Sequence, residues 1–550
     1  MGVFRERLAE SGRSLREVFR NPGLRKINLA LGGSVIGDWA YAVALSIYVY
    51  QRGGATAVGV LGVIRLILVA LAIPYASSLA DRFDRRRVLI ASDLIRMVLV
   101  AIAAVVIHLD GPSMVVYALV IVTSIASTPF RPAQAALLPR LATHPGELAA
   151  ANVASSTIES LGFFLGPAIA GLLLSVTDLS TVYWFNVLTF AWSLAMVVRL
   201  KVPDRVVDDT DGEEDQQAKD ESVLAGYRVI FASRDLRLLV GVYAAQTIVA
   251  GASIVFSVAI ALDMLEIGES GVGFLDSVLG VGGLLGGFVA LLLATRGRLA
   301  GDFGLGVILW SAPLLLIAIW PNLTAAIAAM AMIGLANSIV DVNAYTILQR
   351  LVPDEVMGRV FGAMESALIT SMALGSLSMP LLMETVGLRA GLATIGGFVT
   401  AVTILALAGL RRIDSVALAP EGLGLLSGVS FFAPLPHRVM ETLARESETL
   451  TIADGAVVFS EGDQGDRFYV IESGSASVSV DGRPVRQLGP GDFFGEIALL
   501  SEIPRTATVT ATAPLTVRTI ERDAFLAAVT GHGAAMATAS AVATKYVRHV

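Results

Sequence analysis

The sequence contains no cysteine, which excludes disulfide bonds, thiolate metal sites and cysteine nucleophiles. Charged residues are scarce: they make up 16% of the 550 residues, whereas soluble domains carry about 25%. There are five histidines, none of them paired at metal-ligand spacing, and there is no phosphate loop of the Walker type. The sequence therefore offers no metal site, no hydrolytic constellation and no ATP-driven step, and we expect a protein that is not an enzyme.

In place of charge, the sequence has long apolar runs. Hydrophobic residues make up 55% of the chain, and runs of about 20 residues, long enough to cross a bilayer, recur with short polar breaks. The Arg-rich segment before the first run lacks the apolar core of a signal peptide, so we expect that run to stay in the protein as a span. The pattern predicts twelve spans in two sets of six, at residues 27–50, 58–78, 88–108, 114–136, 148–176, 182–200, 236–261, 272–295, 303–320, 323–348, 360–383 and 388–410.

Basic residues are concentrated in alternate loops. Seven Arg and Lys residues precede the first span, and Arg residues follow the second, fourth, eighth, tenth and twelfth spans. The opposite loops hold mainly acidic residues such as Asp110, Asp178 and Asp263. The positive-inside rule then predicts that both termini and the central loop lie in the cytoplasm of a multi-pass protein of the bacterial plasma membrane.

Beyond the spans the pattern changes to that of a small β domain. Residues 206–221 are acidic and poor in apolar residues, which indicates a solvated spacer between the two halves. Short amphipathic helices are predicted at 424–445, alternating strands broken by Gly-containing turns at 449–522, and closing helices at 523–532 and 534–548. The strands predict an antiparallel barrel or jelly roll. The predicted organisation is a cytoplasmic segment (1–26), a six-helix half (27–205), a central loop (206–235), a second six-helix half (236–412), a linker (413–424) and a C-terminal domain (425–550).

The segment from Phe493 to Val509, FFGEIALLSEIPRTATV, carries the most specific motif. Glu496 can accept a hydrogen bond from a ribose hydroxyl, and Arg505 with the amides at the start of a short helix can clamp a ring phosphate. The segment resembles the phosphate-binding cassette of cyclic nucleotide-binding domains, FGE-x-A-L followed by PR-x-A-T-V. The resemblance implies a cyclic nucleotide as regulatory ligand, held by Phe494, Gly495, Glu496, Ile497, Ala498, Arg505, Thr506 and Ala507.

The choice of purine is left open by the position after the arginine. Thr506 matches the hydroxyl that guanosine-selective kinase modules use, which would favour cyclic GMP. Bacterial relatives with Ser or Thr at this position usually take the adenine form. We therefore favour cyclic AMP over cyclic GMP as the regulatory ligand.

A second motif lies between the second and third predicted spans, in residues 77–87, SSLADRFDRRR. It resembles the cytoplasmic loop motif of the major facilitator superfamily, G-xLAD-Rx-G-RR, but has Ser77 and Asp84 in place of the two glycines. The resemblance implies a gating latch in which Asp81 pairs with basic side chains. The latch residues would be Asp81, Arg82, Arg85 and Arg86; alternatively, the arginines act only as a topology signal.

The fifth span contains GFFLGPAIAG, which resembles the motif of the superfamily's antiporters. Gly162, Gly166 and Gly171 allow helices to approach closely, and Pro167 can kink the span. Residues 129–141 and 349–362 resemble the drug, macrolide and siderophore exporter branch, which also holds lysophospholipid transporters. The resemblance covers about residues 24–412 and implies a twelve-span major facilitator fold of two six-helix halves, joined to a cytoplasmic jelly-roll cyclic nucleotide-binding domain with flanking helices.

Ionisable residues inside spans are costly and are therefore candidates for function. Asp38 and Glu159 lie near the middle of their spans and are the main candidates to carry protons or substrate; for every such residue the alternative is a structural ion pair. Arg96 and Arg131 lie near the cytoplasmic ends, where snorkelling to the interface is expected. Further candidates, whose depth in the membrane is shallower or less well defined by the sequence, are Arg65, Asp276, Asp341 and Glu365.

These patterns predict a proton-coupled exporter of amphiphilic compounds, working by alternating access and regulated by a cyclic nucleotide. Its expected partners are the lipid bilayer, an amphiphilic or lipid-like substrate, protons and the nucleotide. A lysophospholipid flippase is an alternative that a mid-membrane Arg65 would favour. A membrane-tethered nucleotide sensor without transport is a third possibility. Nucleic-acid binding is not expected, because about 25 residues follow the barrel, too few for a helix-turn-helix beyond a capping helix.

Overall fold

The structure, a computed structural model, describes residues 18–143, 145–200, 223–294, 298–417, 420–435, 437–501 and 503–530, together with residue 538. The chain divides into two compact units, Met1–Ala417 and Leu418–Val550. The acidic spacer predicted at 206–221 and most of the closing helix predicted at 534–548 lie outside the described residues.

All of the regular secondary structure described in the first unit is helical. Polar side chains cap several of its helices: Asp84 accepts a hydrogen bond from the Arg87 amide at 2.9 Å, and Asn322 accepts one from the Ala325 amide at 2.9 Å. The helices are α1 (Pro22–Arg82), α2 (Arg85–His108), α3 (Ser113–Ser127), α4 (Phe130–Leu141), α5 (Pro145–Val176), α6 (Leu179–Val198), α7 (Val223–Ala232), α8 (Arg234–Ala259, followed by a π-helical turn at Ile260–Met264), α9 (Gly268–Ala294), α10 (Leu299–Ser311), α11 (Pro313–Ile319), α12 (Leu323–Leu351) and α13 (Asp354–Ala417).

Within the described residues, ten helical stretches are long and apolar enough to cross a membrane. Two of them, Pro22–Ile73 and Val356–Asp414, have 52 and 59 residues, whereas about 20 suffice for one crossing. Each contains one glycine with a positive, non-helical φ: Gly54 at 66° and Gly387 at 82°. These glycines lie where the sequence predicts the turns between spans one and two and between spans eleven and twelve. The apolar helical fold is as predicted, and the count of twelve spans stays a prediction.

Two predicted spans are interrupted at a proline. The predicted span 114–136 consists of α3 and α4, which are separated at Thr128 and Pro129. The predicted span 303–320 consists of α10 and α11, which begins at Pro313. Proline lacks a backbone N–H and clashes with the preceding turn, so it breaks the hydrogen-bond ladder without changing the hydropathy. Each of these predicted spans still lies within one stretch long and apolar enough to cross a membrane, Ser113–Leu141 and Leu299–Ile319.

Small residues let α5 approach two neighbouring helices closely. A Cβ atom on Gly162 would lie 2.4 Å from Val35 Cγ1, and one on Gly166 would lie 2.4 Å from Trp39 Cβ, both on α1. Near the end of α5, a Cβ on Gly171 would lie 3.1 Å from the Ser270 carbonyl oxygen on α9. The helix that carries these glycines therefore joins the first helical half to the second.

Polar contacts also join the two halves near the ends of their helices. Tyr50 donates a short hydrogen bond to Asp263, Gln51 donates to Glu269 at 2.8 Å, and Thr56 donates to Glu384 at 2.7 Å. All of these contacts are solvent-exposed. The halves are thus tied together at the end opposite to the arginine-rich loops.

The second unit combines short helices with eight strands. Its elements are α14 (Leu423–Ser427), α15 (His437–Glu446), β1 (Glu448–Ile452), β2 (Val457–Phe459), β3 (Arg467–Ser473), β4 (Ala476–Val480), β5 (Arg483–Leu488), β6 (Phe493–Phe494), α16 (Glu496–Ser501), β7 (Thr508–Ala511), β8 (Leu515–Glu521) and α17 (Arg522–Thr530).

The strands form two four-stranded antiparallel sheets, in the orders β1-β8-β3-β6 and β2-β7-β4-β5. Non-consecutive neighbours in both sheets give a jelly-roll arrangement, as the strand pattern predicts. A cluster of aromatic rings packs the helices against β3 and β6, with Phe431 and Phe468 5.6 Å apart and Phe431 and Phe493 5.1 Å apart. This cluster supports the turn from β6 into α16, which carries the nucleotide motif.

Candidate functional site

The turn from β6 into α16 depends on a glycine. Gly495 has a φ of +92°, which residues with a side chain rarely adopt. A Cβ atom there would lie 2.7 Å from Arg505 Nη1 and 3.1 Å from the Arg467 carbonyl oxygen. Glycine therefore allows the backbone to approach the guanidinium group and to reverse into the short helix.

Arg505 is a buried cation held by backbone carbonyl groups, with 3% of its surface exposed. Its Nη1 donates to the Gly495 oxygen at 2.9 Å, and its Nη2 donates to the Arg467 oxygen at 2.8 Å and to Asp466 at 3.4 Å. The guanidinium carbon lies 4.1 Å from the ring centroid of Phe459. Burial lowers the pKa of Arg505, but arginine titrates so high that the group stays a cation.

One donor of this guanidinium is left over. Nε of Arg505 is buried and has no hydrogen-bond partner within the described part of the chain. An unsatisfied buried donor costs roughly 1–3 kcal/mol, and more on a charged group. An anion that enters beside Arg505 would satisfy this donor and offset that cost.

Glu496 is the second ionisable group of this region, with 5% of its surface exposed. Burial raises the pKa of its carboxyl group to about 7. The carboxyl also accepts a hydrogen bond from its own backbone amide, which favours the charged form. The side chain can therefore accept from a hydroxyl group when ionised, as the ribose contact in the sequence prediction requires.

All eight predicted nucleotide residues line one cavity of about 320 Å³. Its volume lies in the range of about 300–1,000 Å³ that is usual for small-molecule sites. The remaining lining includes Phe459, Arg486, Val478 and Val485, which come from other strands and which the motif does not reveal. An apolar wall with two arginines, one carboxyl group and one hydroxyl group suits a purine joined to a cyclic sugar-phosphate.

In the first unit, Asp38 belongs to a network of ionised and hydroxyl groups. Arg96 Nη1 lies 3.2 Å from Asp38 Oδ2, and Arg96 Nη2 lies 2.6 Å from Asp93 Oδ1. Ser34 donates to Asp38 at 3.4 Å, and Ser193 donates to Asp93 at 2.7 Å. The predicted acid Asp38 is thus one end of a chain of polar groups that crosses from α1 through α2 to α6.

Snorkelling is the wrong interpretation of Arg96. Only 2% of its surface is exposed, and its guanidinium lies between the rings of Phe130 and Phe190, 4.7 and 4.4 Å from their centroids. Asp93, fully buried beside it, was not among the predicted sites. The i, i+3 spacing of Asp93 and Arg96 on one helix is the signal that could have identified the pair.

The other predicted residues of the first unit have different partners. Glu159 forms a close ion pair with Arg131, and Arg65 donates to the Ser124 hydroxyl at 2.9 Å. In the second half, Tyr243 donates to Asp341 at 2.6 Å, and Tyr345 donates to Glu365 at 2.7 Å. Asp276 interacts with the Ser257 hydroxyl. The structure thus brings Asp38 and Arg65 into one half and Asp341 and Glu365 into the other.

The predicted gating loop is described in part. Arg85 donates to the Ala136 carbonyl oxygen at 2.9 Å, and Arg86 donates to the carbonyl oxygens of Val197 and Val198. These bonds satisfy carbonyl groups in or near the last turns of α4 and α6, where cations are favourable. The backbone of Asp81 and Arg82 is helical, but their side chains lie outside the described part, so the latch stays a prediction.

Comparison with known proteins adds two family assignments. Residues 27–301 and 242–460 match the Major Facilitator Superfamily, and residues 449–532 match the cyclic nucleotide-binding domain. A solved POT family transporter in complex with 5-aminolevulinic acid aligns over 71% of this chain and 96% of its own, with a TM-score of 0.56 and 14% identity. At this identity the alignment supports the fold alone.

Similar proteins of known type include the cAMP-dependent protein kinase regulatory subunit of Yarrowia lipolytica, 40% identical over 104 residues, and the cGMP-dependent protein kinase of Toxoplasma gondii, 40% identical over 102 residues. Each match covers 18% of this chain but only 28% and 10% of those proteins. The chain therefore spans less than a third of these relatives. With the helical fold and the nucleotide cavity described, the chain belongs to the Major Facilitator Superfamily of transporters and carries a C-terminal cyclic nucleotide-binding domain.

Proposed function

We propose that the protein exports an amphiphilic compound from the cytoplasm in exchange for protons. The observation that carries this proposal is the arrangement around Asp38, whose side chain is 44% exposed while its partner Arg96 is 2% exposed. Ionised groups at membrane depth are costly and are usually kept for transport. Asp38 is accessible to a proton, and Arg96 behind it is a fixed cation that responds to the charge on Asp38.

Protonation of Asp38 would remove one of the two carboxylates that face Arg96. The guanidinium would then keep the Asp93 carboxylate and, on α1, only the Ser34 hydroxyl at 3.3 Å, so the link from α1 to α2 would weaken. Such a change biases the two arrangements of the helical halves, which in this fold rock against each other around a central site. Glu159, paired with Arg131, is the second carboxylate that we assign to coupling. The basic loops favour both termini on the cytoplasmic side of the plasma membrane.

A lysophospholipid transporter is a second candidate, and the environment of Arg65 favours it. Arg65 donates to the Ser124 hydroxyl, and within the described residues no carboxylate forms an ion pair with it. Asp341 and Glu365 in the other half are bound by tyrosine hydroxyl groups rather than by cations. A zwitterionic headgroup could place its phosphate at Arg65 and its amine near these acids.

We further propose that a cyclic nucleotide regulates transport by binding beside Arg505 and Glu496. Support comes from Arg505, which lines the cavity and whose buried Nε has no partner within the described residues, and from the similarity to kinase regulatory subunits and kinases named for cAMP and cGMP. Thr506 lines the same cavity and is compatible with either purine, and we favour cyclic AMP. Coupling of this kind is typically about 1–3 kcal/mol.

Export in proteoliposomes tests the proposal. With a pH gradient as the only driving force, Asp38→Asn and Glu159→Gln should each slow the export of a fluorescent amphiphile, whereas Asp110→Asn in an exposed loop should not. Wild-type rates in both variants would refute the assigned carboxylates. Loss of flipping of fluorescent lysophosphatidylethanolamine in Arg65→Gln, with amphiphile export retained, would favour the second candidate. Absence of all transport would favour a nucleotide sensor.

A further inference from the structure

A cavity of about 620 Å³ lies between the start of α8 and the end of α13, apart from the sites described above. Arg234 and Arg237 line it from α8, and Arg412 lines it from α13. Both helices belong to stretches that are apolar enough to span a membrane, and the three arginines stand at or within a few residues of the ends of those stretches. The arginines therefore lie at the depth of lipid headgroups.

The polar end of this cavity has an excess of positive charge. Arg412 forms a close ion pair with Asp235, the acidic residue of the lining. Arg237 donates to the Phe231 carbonyl oxygen, which leaves its charge uncompensated. Arg234 is exposed, and within the described residues no carboxylate forms an ion pair with it. Three cations and one acid leave two positive charges for an anionic ligand.

The other end of the cavity is apolar and exposed at the surface of the helices. Leu405 is 84% exposed, and it precedes Arg412 by seven residues, or about 10 Å along the helix. The two helices pack tightly at Gly409, where a Cβ atom would lie 2.5 Å from Leu238 Cδ2. The wall of Leu238 and Leu405 thus leads from the arginines toward the interior of the bilayer.

We propose that this cavity binds an anionic phospholipid, with the phosphate at Arg234, Arg237 and Arg412 and an acyl chain along Leu405. Basic pockets between membrane helices on the cytoplasmic side are suited to such headgroups. A soluble anion would make no use of the apolar wall. An uncharged or zwitterionic lipid would leave the excess positive charge uncompensated. The polar end and the apolar end of the cavity together therefore favour an anionic lipid.

Native mass spectrometry of the full chain, purified in an uncharged mild detergent, tests this proposal. Titration with phosphatidylglycerol should give a bound lipid that phosphatidylcholine does not replace. Arg234→Gln should weaken phosphatidylglycerol binding by about fivefold, the effect of removing one cation near an anionic membrane. Arg411→Gln is the control, because Arg411 is exposed near the end of α13, the other helix of the cavity, but does not line the cavity.

A second variant probes the apolar wall. Ala408 lines the cavity and is exposed, so Ala408→Phe should fill the space for the acyl chain and weaken lipid binding without changing charge. Equal phosphatidylglycerol binding in wild type and Arg234→Gln would overturn the proposal. So would equal binding of phosphatidylcholine, which indicates only a lipid annulus. Competition by glycerol phosphate or inorganic phosphate at the same concentration as the lipid would assign the cavity to a soluble anion instead.

Discussion

Arg505 combines a buried charge with an unused donor, and this combination sets the affinity that we expect for a nucleotide. Carbonyl groups of Gly495 and Arg467 hold the guanidinium in place before any ligand binds, so little side-chain entropy remains to be lost. A phosphate beside Nε would gain a charge-assisted hydrogen bond. The position of this group is therefore prepared for binding.

Arg505→Ala should weaken cyclic nucleotide binding by about 2–3 kcal/mol, or roughly 30- to 150-fold, because it removes a charge-assisted contact. Calorimetry on a fragment of residues 418–550, which forms a compact unit with its own core, measures this. Arg483→Ala on β5 is the control, since Arg483 is exposed and does not line the cavity. Affinity within twofold of wild type in folded Arg505→Ala would rule out the phosphate contact.

Glu496 should make the stability of this fragment depend on pH. Burial raises its pKa from 4.5 to about 7, so the folded state holds the proton more tightly than the unfolded state. The tighter binding of this proton stabilises the folded state. This contribution to the free energy of unfolding is fully present below about pH 4.5 and is lost as pH rises through about 7. Its size is at most about 3 kcal/mol, since each pKa unit corresponds to about 1.4 kcal/mol.

Urea unfolding of wild type and Glu496→Gln between pH 4.5 and 8 tests this expectation. As pH rises, the unfolding free energy of the wild type should fall relative to that of Glu496→Gln. Glu472→Gln, at an exposed position of β3, should run parallel to wild type. A constant difference between wild type and Glu496→Gln over the whole range would contradict the raised pKa.

The site residues were predictable from the sequence where one short segment contains all the elements that position them. The motif around Gly495 joins a strand, a turn and a helix, and its eight predicted residues line one cavity. Phe459 on β2 and Arg486 on β5 reach the same cavity because β2 and β4, the neighbour of β5, both pair with β7. No local pattern encodes these pairings of distant segments. The prediction that Arg96 snorkels to the interface was wrong for a related reason. Its burial depends on Phe130 and Phe190, which come from two other helices.

At the scale of helices and strands, hydropathy located the apolar stretches but not their breaks. Gly54 and Gly387 lie in short polar gaps, so the turns there coincide with predicted span ends. Pro129 and Pro313 lie inside apolar runs, and the breaks beside them have no hydropathy signal. The jelly roll was predictable as a class because its turns are marked by glycine, whereas the order of strands in each sheet depends on packing between distant segments.

The contact between α5 and α1 gives a prediction at this scale. At Gly166 a side chain would meet Trp39 Cβ at 2.4 Å and the Ile36 carbonyl oxygen at 2.8 Å, so Gly166→Ala must separate the helices. Overpacking of this kind costs about 1–3 kcal/mol. Thermal unfolding of the full chain in detergent should show a lower Tm than wild type.

Gly241→Ala on α8 is the matched control, because no atom lies within 4 Å of a Cβ built there. Alanine is favoured over glycine inside helices, so this variant should be as stable as wild type or slightly more so. Equal Tm values for Gly166→Ala and Gly241→Ala would show that α5 and α1 do not depend on the close approach.

At the scale of the whole molecule, the chain divides into two compact units, and the residues that we propose for transport and for nucleotide binding lie in different units. The first unit contains all the apolar stretches long enough to cross a membrane within the described residues, together with the Asp38 network. The second unit contains the nucleotide cavity and its own hydrophobic clusters. The ionisable candidates for coupling therefore lie in one unit and the proposed nucleotide contacts in the other.

Deletion of residues 421–550 should leave a membrane-inserted protein that still exports but no longer responds to nucleotide. Coupling of about 1–3 kcal/mol corresponds to a change of roughly 5- to 150-fold in state population when nucleotide saturates the intact protein. The measurement is the initial export rate in inside-out vesicles, with and without cyclic AMP, for the full chain and the truncation. Arg505→Ala in the full chain provides the control, since it should shift the response to a roughly 30- to 150-fold higher nucleotide concentration while keeping the domain. A full-length protein indifferent to saturating cyclic AMP and cyclic GMP would reduce the domain to a tether.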